Sequence, residues 1–165
     1  MFIFYLINKN MAFLTFSHDN SVYLTPNNIQ DNYFTPKEGS IYSVLNSSFS
    51  IYKYLIDKSG LYRDILNNLT VSIFVCPDQN ISPELRNYLI QMPKDEIVTF
   101  LNRHTIDDSI DFENGQFIRT RQWGFQLSHY ENEIRFSIGS KVDLINKRLY
   151  VSNGVIYFIN HPILV

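Results

Sequence analysis

Val151-Ser152-Asn153-Gly154-Val155-Ile156-Tyr157-Phe158-Ile159-Asn160-His161-Pro162-Ile163-Leu164 reads as a turn followed by a strand that is apolar at nearly every position. A strand with one wet face alternates polar and apolar residues. This one does not, so it is expected to be covered on both faces, with the chain ending inside its own core. Asn153-Gly154 predicts a tight turn, because both residues tolerate positive φ. It sets Leu149 to Val151 against Val155 to Ile159 as a hairpin.

Upstream the apolar residues recur at intervals of three and four. Ile41, Val44 and Leu45, then Ile51, Tyr54 and Leu55, predict helix packed on a sheet, with a stop at Lys58-Ser59-Gly60. Leu61 to Leu66 reads as a short helix before a strand from Thr70 to Val75. Ser82-Pro83-Glu84 is a helix start: a hydroxyl cap, a proline at the first helical position and an acid in the positive first turn. That helix is expected to run to about Gln91. Pro93-Lys94-Asp95-Glu96 opens another, with Ile97, Phe100 and Leu101 on its buried face. Beyond His104 the chain turns to strands at Phe117 to Thr120, Phe125 to Tyr130, Ile134 to Ile138 and Lys141 to Ile145. Helices first and hairpins after them describe an α+β domain.

The closing run resembles that of the fasciclin domain family, in which Asn-Gly-Val-Ile leads into a buried strand and a final Leu. Three further motifs are similar to that family in the same order. Ser72-Ile73-Phe74-Val75-Cys76-Pro77-Asp78-Gln79-Asn80-Ile81 resembles its first signature, with Phe74 and Asp78 in register. Phe100-Leu101-Asn102-Arg103-His104-Thr105-Ile106 falls where the family carries a Tyr-His pair, with Arg103 in place of Tyr. Thr120, Gly124 and Leu127 look like its Thr-x-x-Gly-x-x-Leu hairpin with one residue inserted. The resemblance covers residues 40 to 165. It implies a wedge-shaped β-sandwich flanked by helices, a structural role for His104 hydrogen-bonded to backbone at a helix-to-strand junction, and a non-catalytic part in adhesion. Arg103 departs from the Tyr associated with receptor adhesion.

Composition sets bounds of its own. The 165 residues suit one domain, and 45% hydrophobic with 15% aromatic residues is ample for a core. A formal net charge of -2, with Lys and Arg scattered, argues against nucleic acid as a partner. The lone Cys76 has no intramolecular disulfide partner, so packing must supply the stability.

Met1 to Ile7 is apolar, but no cationic segment precedes it, Asn8-Lys9-Asn10 interrupts it and no small-residue cleavage site follows. It fits poorly with a secretory signal, and Met1 to Phe16 is too short and broken for a membrane span. Two strands, Phe2 to Ile7 and Ala12 to Phe16, are expected, pairing with each other or docking on the domain. Met11 is an alternative start of translation. Residues 17 to 39 carry successive turns, and residues 1 to 39 together read as an N-terminal extension or arm. Its aromatics Tyr23, Tyr33 and Phe34 suit either docking on a neighbouring subunit or folding back on the same chain.

Candidate chemistry is thin. His104 with Asp107 and Asp108 has metal-ligand residue types, but no second His lies at helical spacing, so no metal is expected. Cys76 before Pro77 has no local base to activate it, and a small core hydrophobe is the expected role. No phosphate loop or nucleophile elbow is present, and no cofactor is expected. The enzymatic alternative is a small hydrolase using Cys76 or the His104 and Asp108 pair.

Binding signals are richer. Trp123 with Arg121, at a hairpin bend, has the residue types of interface hot spots. A tryptophan folded back over the sheet is the equal alternative. The Asn46, Asn68 and Asn80 sequons occur about as often as chance gives in a chain this rich in Asn, Ser and Thr. The sequence therefore points to a non-catalytic protein-interaction module, with Trp123, Arg121, Arg103, His104, Tyr23, Tyr33 and Phe34 as binding candidates. Its partners are expected through the arm or the Trp123 hairpin, in homo- or hetero-assembly. The abundance of Asn, Ile, Tyr and Phe suits an AT-rich genome, which with a docking arm would fit a minor structural component of a large DNA virus particle. Carbohydrate binding through Trp123 and the tyrosines is a third reading.

Overall fold

The structure is a computed structural model. It describes residues 5–7, 10–12, 14–16, 22–24, 34–45, 47–109, 116–122, 126–130, 133–136 and 141–164. The chain divides into two compact units, Met1–Thr35 and Pro36–Val165. In the first, β1 (Tyr5–Ile7) pairs antiparallel with β2 (Asn10–Ala12), and β3 (Leu14–Phe16) with β4 (Val22–Leu24). Of the segments expected to pair with each other or dock on the domain, Phe2–Ile7 and Ala12–Phe16, Tyr5 does lie opposite Ala12, but Leu14–Phe16 pairs onward with Val22–Leu24. Ala12 belongs to the first hairpin and Leu14 opens the second.

The second unit begins with α1 (Ile41–Val44), capped by Ser40, whose Oγ accepts from the Ser43 amide at 3.2 Å. A 3-10 turn at Ser47–Phe49 interrupts the helix before α2 (Ser50–Ser59), which ends at Gly60 in a left-handed conformation with φ of 73°. The buried face of α2 is Ile51, Tyr52, Leu55, Ile56 and Ser59; Ile51 and Leu55 are inside as expected, whereas Tyr54, also expected inside, is 42% exposed.

Next come α3 (Tyr62–Asn68), β5 (Val71–Val75), a 3-10 turn at Asp78–Asn80 and α4 (Pro83–Gln91). Helix α4 starts as its sequence implies, with Ser82 Oγ accepting from the Leu85 amide. Helix α5 (Lys94–His104) buries Ile97, Phe100, Leu101 and His104. The remaining strands are β6 (Thr105–Ile106), β7 (Phe117–Arg119), β8 (Gln126–Tyr130), β9 (Glu133–Phe136), β10 (Lys141–Val151) and β11 (Gly154–Ile159).

Seven strands are hydrogen-bonded in the order β6-β5-β11-β10-β9-β8-β7. Strand β11 runs parallel to β5 and antiparallel to β10, and every residue of β5 and β11 is buried. This matches the two-sided cover read from the unalternating pattern. Pro162 and Ile163 are buried as well, whereas Leu164 is 40% exposed. Strand β10 is one long element with a register shift between Leu144 and Arg148, so the separate strands expected at 141–145 and 149–151 are joined through a bulge. The fold is α+β, with Tyr52, Tyr62, Phe74 and Phe100 the largest fully buried side chains among the described residues.

The closing hairpin differs from its sequence reading by one residue. Val151 pairs with Gly154, so Ser152 and Asn153 form the loop and Gly154 opens the strand. Gly154 is needed for a close approach: a Cβ there would lie 1.7 Å from the Val71 carbonyl oxygen of β5. Asn153 serves as more than a turn residue. Its Oδ1 accepts from the Ile41 amide at 2.8 Å, and its Nδ2 donates to the carbonyls of Leu66 at 3.0 Å and Leu69 at 2.8 Å. Its own carbonyl accepts from the Val71 amide. One side chain thus joins the start of α1 to carbonyls at the end of α3 that have no partner within the helix.

Candidate functional site

Helix α5 carries the residues that the sequence nominates most often. Its inner face holds His104, wholly buried, with the ring 4.2 Å from Phe100 and edge-on to Tyr52 at 5.5 Å between centroids. Nδ1 lies 2.8 Å from the Phe100 carbonyl and Nε2 accepts from the Ile163 amide at 2.9 Å, which assigns the neutral ring with its proton on Nδ1. Burial, reinforced by the charge of Arg103 and opposed by the bond to the Phe100 carbonyl, pushes its pKa down to about 3. Both nitrogens are committed to backbone, so His104 has no lone pair to offer a metal and acts as a structural pin.

The other nominated chemical groups are similarly engaged. Asp107 forms an ion pair with Arg121, and Asp108 accepts from the Ser109 amide through Oδ1 while its carbonyl accepts from the buried Ser72 hydroxyl. Cys76 is fully buried, with Sγ 3.4 Å from the Asn160 carbonyl, and burial foremost, with the Asp78 charge, raises its pKa to about 12. A thiol held protonated in this way is a poor nucleophile. The hydrolase alternative therefore loses both of its candidate groupings on physical grounds.

Asp78 has a role its position in the signature did not reveal. Its carboxylate accepts from the amides of Ser50 and Ile51, at 2.8 and 3.1 Å, and from the Ser50 hydroxyl. No side chain at Phe49 caps α2, so an acid from the loop after β5 does so across the fold. Asn67 acts likewise: buried at the end of α3, it accepts from the Lys37 amide at 2.7 Å and from the Ser40 hydroxyl at 3.1 Å. Neither has a local sequence signal, since each partner lies about 30 residues away.

Among the binding candidates, Arg121 is half-buried; its amide donates to the Thr105 carbonyl, and the next amide, of Gln122, donates to the Asn102 carbonyl. Thr120 and Leu127 of the hairpin motif are buried. Trp123, Gly124 and Tyr33 lie outside the described residues, as does Asn46; Tyr23 falls on β4 and Phe34 is half-buried. Asn68 is exposed and Asn80 half-buried.

Two open grooves mark the second unit. One, of about 630 Å³, is chiefly apolar, between Val44, Leu45 and Phe49 on one side and Leu149, Ile156 and Phe158 on the other. The other, of about 470 Å³, runs along the outer face of α5. Its floor includes Met92 and Phe100, its rim Tyr88 and Leu164, and its charged residues are Asp95, Glu96 and Arg103. Among the described residues Arg103 makes no ion pair. The sequence had singled out Arg103 alone; the structure adds the acids two turns earlier and the apolar rim.

No helix among the described residues is long and apolar enough to cross a membrane. No protein-family model matches the sequence, and no curated protein matches it. Among solved structures the chain is similar to a FAS1 domain pair from the insect cell adhesion molecule fasciclin I. The TM-score is 0.57 at 14% identity, over 99% of this chain and 67% of that one. At that identity the likeness concerns the fold alone, and it supports a fasciclin-like α+β fold.

Proposed function

We propose that this chain is a non-catalytic protein-interaction module of the fasciclin type, with an adhesion-like or assembly role. The observation that carries the reading is the fold likeness to a domain pair from a cell adhesion molecule. Under this reading residues 40 to 165 form the fasciclin-like domain, with its strands arranged as a wedge-shaped β-sandwich, and residues 1 to 39 form an arm. The arm and the Trp123 hairpin are its proposed contact surfaces. Support also comes from the engagement of His104, Cys76 and Asp108, the groups nominated for catalysis, in structural bonds.

The test is light scattering after size-exclusion chromatography on the full chain beside one starting at Gly39. Association of the full chain alone assigns the contact to the arm. Two monomeric species direct attention to an external partner, sought with Trp123→Ala as the comparison. Hydrolysis of an ester or amide substrate that disappears in Cys76→Ala would sink the non-catalytic reading.

A further inference from the structure

Helix α4 is poorly covered for its length. Of its nine residues only Leu89 is buried, while Tyr88 and Ile90 are 55% and 37% exposed. Short helices in water owe most of their stability to packing, so a helix left so open is one that another surface would stabilise. Beside it, Asp95, Thr99 and Arg103 follow one another at intervals of four along α5 and form a single outer stripe. The acids Asp95 and Glu96 occupy the first turn and Arg103 the last, about 12 Å apart at 1.5 Å per residue. That distance prevents them from pairing with each other within the helix. It also gives the stripe opposite charge at its two ends, with the small residue Thr99 midway.

A surface of this kind is complementary to itself. A two-fold axis through Thr99 would lay two α5 helices antiparallel and place each Arg103 opposite the acids of the other copy, at two equivalent places. The helix dipoles would oppose favourably in the same arrangement. Thr99 would allow close approach at the crossing point, and the rim residues Tyr88 and Leu164 would supply apolar surface to exclude water. We infer that the α4–α5 groove is the interface of a homodimer, its occupant a second copy of this chain held by reciprocal Arg103 to Asp95 and Glu96 pairs.

This inference deepens the reading of the chain as an interaction module but uses a different surface from the arm and the Trp123 hairpin. It is tested by light scattering across a range of loading concentrations on the full chain and three variants: Arg103→Glu, the double variant Asp95→Arg with Glu96→Arg, and the triple variant combining them. The full chain is expected to be a dimer. Either partial variant places like charges opposite each other twice per dimer, and should weaken association by about a hundredfold or more. The triple variant restores opposite signs and should restore the dimer, which also shows that the substitutions leave the fold intact. A dimer indifferent to all three variants overturns the inference and leaves the arm as the contact. A monomer at every concentration overturns it as well, and leaves the module reading to its external partner.

Discussion

The His104 imidazole accepts a hydrogen bond from the main-chain amide of Ile163, 59 residues further along the chain. The ring therefore ties the tail after β11 to the last turn of α5. It can do so only while neutral, since protonation would convert the Nε2 acceptor into a donor facing another donor. The pKa falls from its ordinary 6.5 to about 3 in the folded chain, so the unfolded state binds the proton more readily. The stabilisation is complete above about pH 6.5 and is lost progressively as the pH falls towards 3. Each pH unit in that window removes roughly 1 kcal/mol. Denaturant titrations of the wild type and His104→Gln at pH 7 and pH 4.5 should show the wild type losing more stability than the variant. Equal losses would place the ring outside the acid transition.

Gly154 should be the least replaceable of the described glycines, Gly39, Gly60 and Gly154. An alanine Cβ would meet the Val71 carbonyl oxygen at 1.7 Å, where β11 runs parallel to β5. The obstacle is the Val71 backbone carbonyl of the paired strand, which cannot swing aside as a flexible side chain can, so the loss should be about 3 kcal/mol or more. Gly60→Ala is the control. It also has positive φ, but its Cβ meets only the end of the Lys94 side chain at 3.2 Å, and it should lose about 1 kcal/mol. Thermal unfolding of the two variants separates them, and similar melting points would contradict the crowding argument.

Asn153→Ala removes three hydrogen bonds at once, from the Ile41 amide and to the Leu66 and Leu69 carbonyls. At about 1 kcal/mol each the expected loss is about 3 kcal/mol. Asn153→Asp discriminates between pin and turn residue. Asp is as acceptable in a tight turn, but its carboxylate cannot donate to the two carbonyls. A melting point for Asn153→Asp close to that of wild type would return the residue to a simple turn role.

How far the fold could be read from sequence follows from the range of the forces involved. The all-apolar run of β11 announced its two-sided burial, and Ser82-Pro83-Glu84 fixed the start of α4, because both signals lie within a few residues. Of the α2 positions read as buried, Ile51 and Leu55 are and Tyr54 is not, and the Asp78 carboxylate that caps the helix from beyond a strand gave no local signal. The same limit hid the acids of the α5 groove. Asp95 and Glu96 read as ordinary first-turn charges until the fold set Tyr88 and Leu164 beside them. His104 was legible as structural through the family resemblance, whereas its partner Ile163 was not.

The remote cap can be tested directly. In Asp78→Ala the amides of Ser50 and Ile51 and the Ser50 hydroxyl lose their acceptor, and the positive end of α2 loses its neighbouring negative charge. Removing a helix cap of this kind should lower stability by about 1–2 kcal/mol. Asp78→Asn keeps an acceptor but not the charge, and should fall between the variant and the wild type. Amide hydrogen exchange localises the effect: protection at Ser50 and Ile51 should drop in Asp78→Ala before the amides of β5 change. Loss of protection spread evenly over α2 and β5 would mean instead that Asp78 supports the core as a whole, and the capping role would fall.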